Sequence, residues 1–174
     1  MNWFVTAESN VSSGQLTRKM KEIIRNSSFF VNLFDKYNVP IDSIDDNLTF
    51  KIRKMRGRHA QSNSREITLN PKLFENGDFF ENHLHFVIHE LVHWLTRQRE
   101  NKYYFSDPEE IEAFTLGMVY ELGKGRKKPQ IYRTFFPIIK AHFQDREDAI
   151  HLFNELYENA VKNFSDYGSR EKDK

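Results

Sequence analysis

The chain has 174 residues, with 26 Lys and Arg against 25 Asp and Glu and a formal net charge of +1. That size suits one domain around a single core, and the balanced charge makes no case for nucleic acid or an anionic membrane as the main partner. There is no Cys, which excludes a disulfide framework and any thiolate metal ligand, so a metal site here must use His and carboxylate. The 16 Phe supply a large apolar area for a small core. Met1 to Glu8 lacks the basic and apolar regions of a signal peptide, and no apolar run approaches the length of a membrane span. The expectation is a cytoplasmic protein without a membrane partner, compatible with a bacterial, viral or phage source.

The N-terminal part reads as helical. Ser12 or Ser13 is placed to cap a helix reaching about Ile24, with Leu16, Met20, Ile23 and Ile24 on one face. A second helix, about 28–37, carries Phe29, Phe30, Leu33 and Phe34 and stops before Pro40. The period then changes to two. Leu48, Phe50 and Ile52 alternate with polar residues, as do Ile67 and Leu69 within 65–70. Between these strands lies the polar stretch 56–64, expected as the connection of an antiparallel hairpin. Residues 79–98 read as one helix. Asp107-Pro108-Glu109-Glu110 opens the next, which Gly123 and Gly125 end. Two further helices are expected at about 130–143 and 145–163, with a polar tail from Asp166. The fold class is α+β: a mostly helical single domain with a small antiparallel sheet packed beside the 79–98 helix. It divides into N-terminal helices (1–47), a catalytic core (48–122) and C-terminal helices with a tail (126–174).

One segment specifies chemistry. His89-Glu90-Leu91-Val92-His93 places two imidazoles four residues apart, on one face of a helix, where both can bind one zinc ion. Glu90 stands one step round, within reach of a water on that ion, as a general base would. The flanks are Phe86-Val87-Ile88 and Trp94-Leu95, so the helix is apolar nearly all round and should be buried. Buried His and Glu need partners, and a metal supplies them. The competing reading is a core helix whose histidines bond to backbone carbonyls.

A catalytic zinc usually has three protein ligands and one open position. Taking Ile111, Met118 and Leu122 as the inward face of the helix after Asp107, Glu112 lies nearest its centre and is the expected third ligand. Glu109 follows and Asp107 is weaker; Glu109 and Glu110 are expected to point toward water, where acids in a first helical turn suit the macrodipole. His83 and His85 are expected beside the site or at the surface, and His59 in solvent.

These residues resemble the zincin metallopeptidases, of the gluzincin type. The metzincin pattern of a Gly and a third His soon after the motif is missing, since Thr96-Arg97-Gln98-Arg99-Glu100 stands there. The segment ending in Ile67-Thr68-Leu69-Asn70 is similar to the strand before the motif helix in SprT-like and ImmA/IrrE-like peptidases. Glu110-Ile111-Glu112-Ala113 fits the latter group better, because SprT-like proteins use a third His. The likeness covers about 48–122. It implies a zincin-like fold and a zinc metalloendopeptidase acting on protein or peptide substrates. It further implies that Ile67, Thr68 and Leu69 form an edge strand whose backbone pairs with extended substrate, overhung by the 56–64 loop. Many such sites add a second donor for the oxyanion; Tyr103, Tyr104, Tyr120, Tyr132 and His142 are the candidates. Two alternatives compete: a non-catalytic sensor or binding module on the same scaffold, and nucleic-acid association through Lys51, Arg53, Lys54, Arg56 and Arg58 and the basic run 124–128.

Overall fold

The computed structural model describes residues 12–75, 78–96 and 107–168. The fold is α+β and mostly helical, with one small three-stranded sheet. The elements are α1 (Ser13–Asn26), α2 (Ser28–Lys36), α3 (Ile44–Asn47), β1 (Thr49–Ile52), β2 (Ala60–Ser62), β3 (Glu66–Leu69), α4 (Phe79–Asn82), α5 (Leu84–Thr96), α6 (Pro108–Gly123), α7 (Lys128–Lys140) and α8 (Arg146–Gly168). They group into two compact units, Met1–Arg99 and Glu100–Lys174, so the boundary falls inside the stretch expected to be one catalytic core.

In the first unit, Ser12 caps α1 by accepting from the backbone N–H of Gln15, while the Gln15 side chain accepts from the N–H of Ser12. This reciprocal box starts the helix where the sequence placed it. Leu16, Met20 and Ile24 recur at helical spacing and are buried, together with Phe30, Leu33 and Phe34 of α2. Phe34 meets Trp94 of α5, with ring centroids 6.2 Å apart. The apolar face of the sheet, Phe50, Ile67 and Leu69, joins this core.

The sheet departs from the expected hairpin. Its order is β1-β3-β2: β1 and β3 run parallel, and β2, which pairs antiparallel with β3, comes from the stretch expected as a loop. The sheet is therefore mixed, and β3 is its central strand. Residues 53–59 arc across the end of β3, and Asn70 holds that arc. Its side-chain amide donates to the carbonyls of Met55 and Arg58, at 2.8 and 2.9 Å, and its backbone N–H donates to the His59 carbonyl at 2.8 Å. The outer edge of β1 is closed by α1: the Thr17 hydroxyl accepts from the Phe50 N–H at 2.9 Å and donates to the Phe50 carbonyl at 3.1 Å.

Glu66 ties β3 to β1 electrostatically. Its carboxyl is held below its ordinary value, first by a hydrogen bond from Lys51, then by one from Thr68 and by the charges of Lys51 and Arg53, against a smaller opposing effect of burial. A depressed carboxylate contributes stability above its unfolded pKa, and that contribution is lost as pH falls through the folded value. Replacing Glu66 with Gln should lower the urea midpoint at pH 7, and the gap to the native chain should close as pH drops below about 4.5. An unchanged gap at pH 3 would show that Glu66 acts by shape alone.

The second unit has three described helices, with α6 and α7 both packed on α8. Asp107 accepts from the Glu109 N–H and Pro108 takes the first helical position, as the sequence indicates. Met118, Ile131, Phe135, Ile139, Phe153, Leu156 and Ala160 form the core. Tyr132 lies edge-on to Phe153 at 4.9 Å and stacks on Phe136 at 4.4 Å. Helix α8 runs through Asp166, where a polar tail was expected to begin, as far as Gly168. No helix among the described residues is long and apolar enough to cross a membrane.

Candidate metal centre

Helix α5 carries the motif. No Gly or Pro interrupts Leu84–Thr96, and its buried positions occupy nearly the whole circumference. The expected continuous helix from 79 is instead two pieces. Asp78 caps α4 by accepting from Phe80 and Glu81, the chain steps at His83, and α5 restarts with the Phe86 N–H bonded to the His83 carbonyl at 3.1 Å.

His89 and His93 stand one turn apart, with their Nε2 atoms 3.2 Å from each other and the two rings inclined at 77°. Two imidazole nitrogens on a tetrahedral zinc at 2.0–2.1 Å are separated by about 3.3 Å, so this pair has the spacing of two ligands of one ion. The donor chemistry fits as well: with the ring protons on Nδ1, each Nε2 offers a lone pair to a cation. His93 and Glu90 are each only 7 % exposed, and His89 is half-buried. His85 is buried, not at the surface, and packs against Phe86 with ring centroids 4.3 Å apart.

Strand β2 runs alongside the motif. At one end, the His59 ring lies against Phe86, centroids 4.8 Å apart; at the other, the Trp94 indole N–H donates to the Ser64 carbonyl at 3.1 Å. Phe86 and Trp94 bracket residues 89–93, so the short strand between His59 and Ser64 is aligned with the two histidines. The exposed His59 side chain has its pKa lowered, chiefly by the surface it packs on and secondarily by the charge of Lys72.

The edge-strand expectation for Ile67, Thr68 and Leu69 is overturned. These residues lie in β3, whose backbone pairs on both sides, with β1 and with β2, and has no groups left for a substrate. The terminal strand beside α5 is β2. His59 accepts from Asn70 and Asn63 donates to Glu66, so alternate residues 59, 61 and 63 bond inward, and Ala60 and Ser62 present their N–H and C=O groups outward. Ala60-Gln61-Ser62 is too short and too polar to show strand periodicity, which is why sequence reasoning read it as loop.

The burial of the α6 carboxylates also differs from the expectation. On α6 residues 113–119 are buried all round, as are Glu110 and Glu121, while Ile111, Glu112 and Leu122 are half-exposed. Glu110 is 1 % exposed, the opposite of the expectation that it faces water. Of the two buried acids, Glu121 has Lys124 and Arg126 at 3.7 and 3.8 Å. Glu110 lies near enough to His142 for its charge to favour the imidazolium, although burial, the larger effect, still lowers the His142 pKa. Glu112 and Glu109 are half-buried, and Asp107 spends a carboxylate oxygen on its cap. Among the other oxyanion candidates, Tyr120 has the Lys124 ammonium 5.7 Å from its ring centre, and Tyr132 sits in the α7–α8 packing. Tyr103 and Tyr104 lie outside the described residues.

No known family model matches the chain, and no curated protein or solved structure does.

Proposed function

We propose that the protein is a zinc-dependent peptidase in which His89 and His93 bind the metal, a carboxylate completes its protein ligands and Glu90 is the general base. The observation that carries this reading is the facing pair of Nε2 atoms on a buried helix, with Glu90 next to the first of them. Glu110 comes before Glu112 as the carboxylate to test, because a carboxylate buried to 1 % exposure is costly unless a cation or strong hydrogen bonds hold it. Zinc, when bound there, acidifies a water molecule and polarises a peptide carbonyl. Glu90 takes the proton from the attacking water and returns it to the departing amine, so one side chain serves both halves of the hydrolysis. An extended substrate pairs with the outward N–H and C=O groups of Ala60 and Ser62, which hold its backbone parallel to the motif helix.

The expected result is that the purified chain cleaves an unstructured protein such as casein, that a chelator stops cleavage, and that added zinc restores it. Cleavage that survives complete removal of metal would contradict the proposal.

A further inference from the structure

The arc 53–59 and its surroundings carry a charge that the proposed chemistry does not use. Between residues 51 and 72 there are seven basic residues and one acidic residue, a net +6 in a chain whose formal charge is +1. Lys51 is engaged with Glu66, and Arg53 contributes to the same pair. Lys54, Arg56 and Lys72 are exposed and form no ion pair with any acid among the described residues.

Their position is specific. Asn70 clamps the arc through the Met55 and Arg58 carbonyls, and its side-chain oxygen accepts from the Lys72 N–H at 3.2 Å. The arc and Lys72 are thus gathered round one side chain. The arc leads directly into β2, and its last residue, His59, rests on Phe86 three residues before His89. The cations are therefore fixed at the Phe86 end of the strand aligned with the histidines. Holding unpaired cations together on a clamped loop costs mutual repulsion, which an anionic partner relieves. A chain lying along β2 leaves the strand at this point.

We propose that Lys54, Arg56 and Lys72 select extended polypeptides that are acidic on one side of the cleaved bond. This inference rests on the peptidase reading for the pose of the substrate along β2. An acidic polypeptide fits better than nucleic acid, because the cations adjoin outward N–H and C=O groups, which pair with another peptide backbone.

The test uses the full chain with Glu90→Gln, loaded with zinc, so that binding is read without turnover. Labelled peptides share one degenerate core and carry a run of Glu, Gln or Lys at one end or the other. One of the Glu-tailed sets should bind about tenfold more tightly than its Gln counterpart, an advantage that shrinks at high salt. Adding Lys54→Gln, Arg56→Gln and Lys72→Gln should remove that advantage, each single change removing part of it. Equal binding of Glu and Gln sets, an advantage that survives the three substitutions, or no binding at all would overturn the proposal. Tighter binding of an oligonucleotide than of the Glu-tailed peptide would overturn it in favour of nucleic acid. If the Glu-tailed peptide binds as expected but the chain with Glu90 intact never cleaves it, acidic recognition stands and the peptidase reading falls.

Discussion

Glu90→Gln should lower kcat/KM for peptide hydrolysis about 10^3- to 10^4-fold while leaving bound zinc at the level of the native chain. The amide is close to the carboxylate in size, so the packing of a position 7 % exposed is largely preserved. What is lost is the base that accepts the proton from water, and with it the acid that delivers the proton to the amine. General acid–base catalysis is worth about 10^2- to 10^4-fold, and one residue performing both transfers belongs at the upper end. Two readouts separate the possible roles. Loss of activity with zinc retained marks a base; loss of both would make Glu90 a support for the histidines. Full activity with glutamine in place would remove Glu90 from the reaction.

The second large effect concerns the third ligand. Glu110→Gln should weaken zinc binding by at least about 100-fold, since changes to groups that merely orient ligands already cost 10- to 100-fold. Glu112→Gln, at a half-exposed position, should change zinc affinity by no more than about twofold. Equilibrium dialysis against a zinc indicator distinguishes the two. The opposite ranking would return the role to Glu112, and two silent substitutions would leave the pair of histidines without a carboxylate partner from α6.

The contrast between these two acids shows how far the sequence could be read. The ends of α6 were legible because Asp107, Pro108 and Gly125 act locally, through a cap, a fixed φ and a left-handed backbone (φ 77°) that glycine adopts readily. Its rotation was not. Large apolar residues at 111, 118 and 122 outlined one face, but Ile111 and Leu122 are half-exposed and burial covers all of 113–119, including Ala113 and Gly117, whose small side chains carry little hydrophobic weight. Glu110 is buried and Glu112 half-exposed on a helix that packs on α8, a contact between segments distant in the chain that local periodicity does not encode.

The sheet failed in a related way. β1 and β3 have apolar residues at alternate positions and were found as strands, but alternation says nothing about which strand is central. That was decided by Asn70, which folds the arc back so that β2 can pair with β3, and by Thr17, which occupies the outer edge of β1. Both are single polar side chains whose partners are 12 to 33 residues away in the chain. The motif itself was legible because its meaning depends only on helical spacing, and α5 forms across all five of its residues.

The most direct test of a zinc centre at His89 and His93 is the metal content of the chain purified without chelator. The account predicts one zinc per chain in the native protein and essentially none after His89→Ala, with the variant still folded by circular dichroism. A native chain that carries no zinc and does not take it up, or a folded His89→Ala chain that keeps a full equivalent, would contradict it.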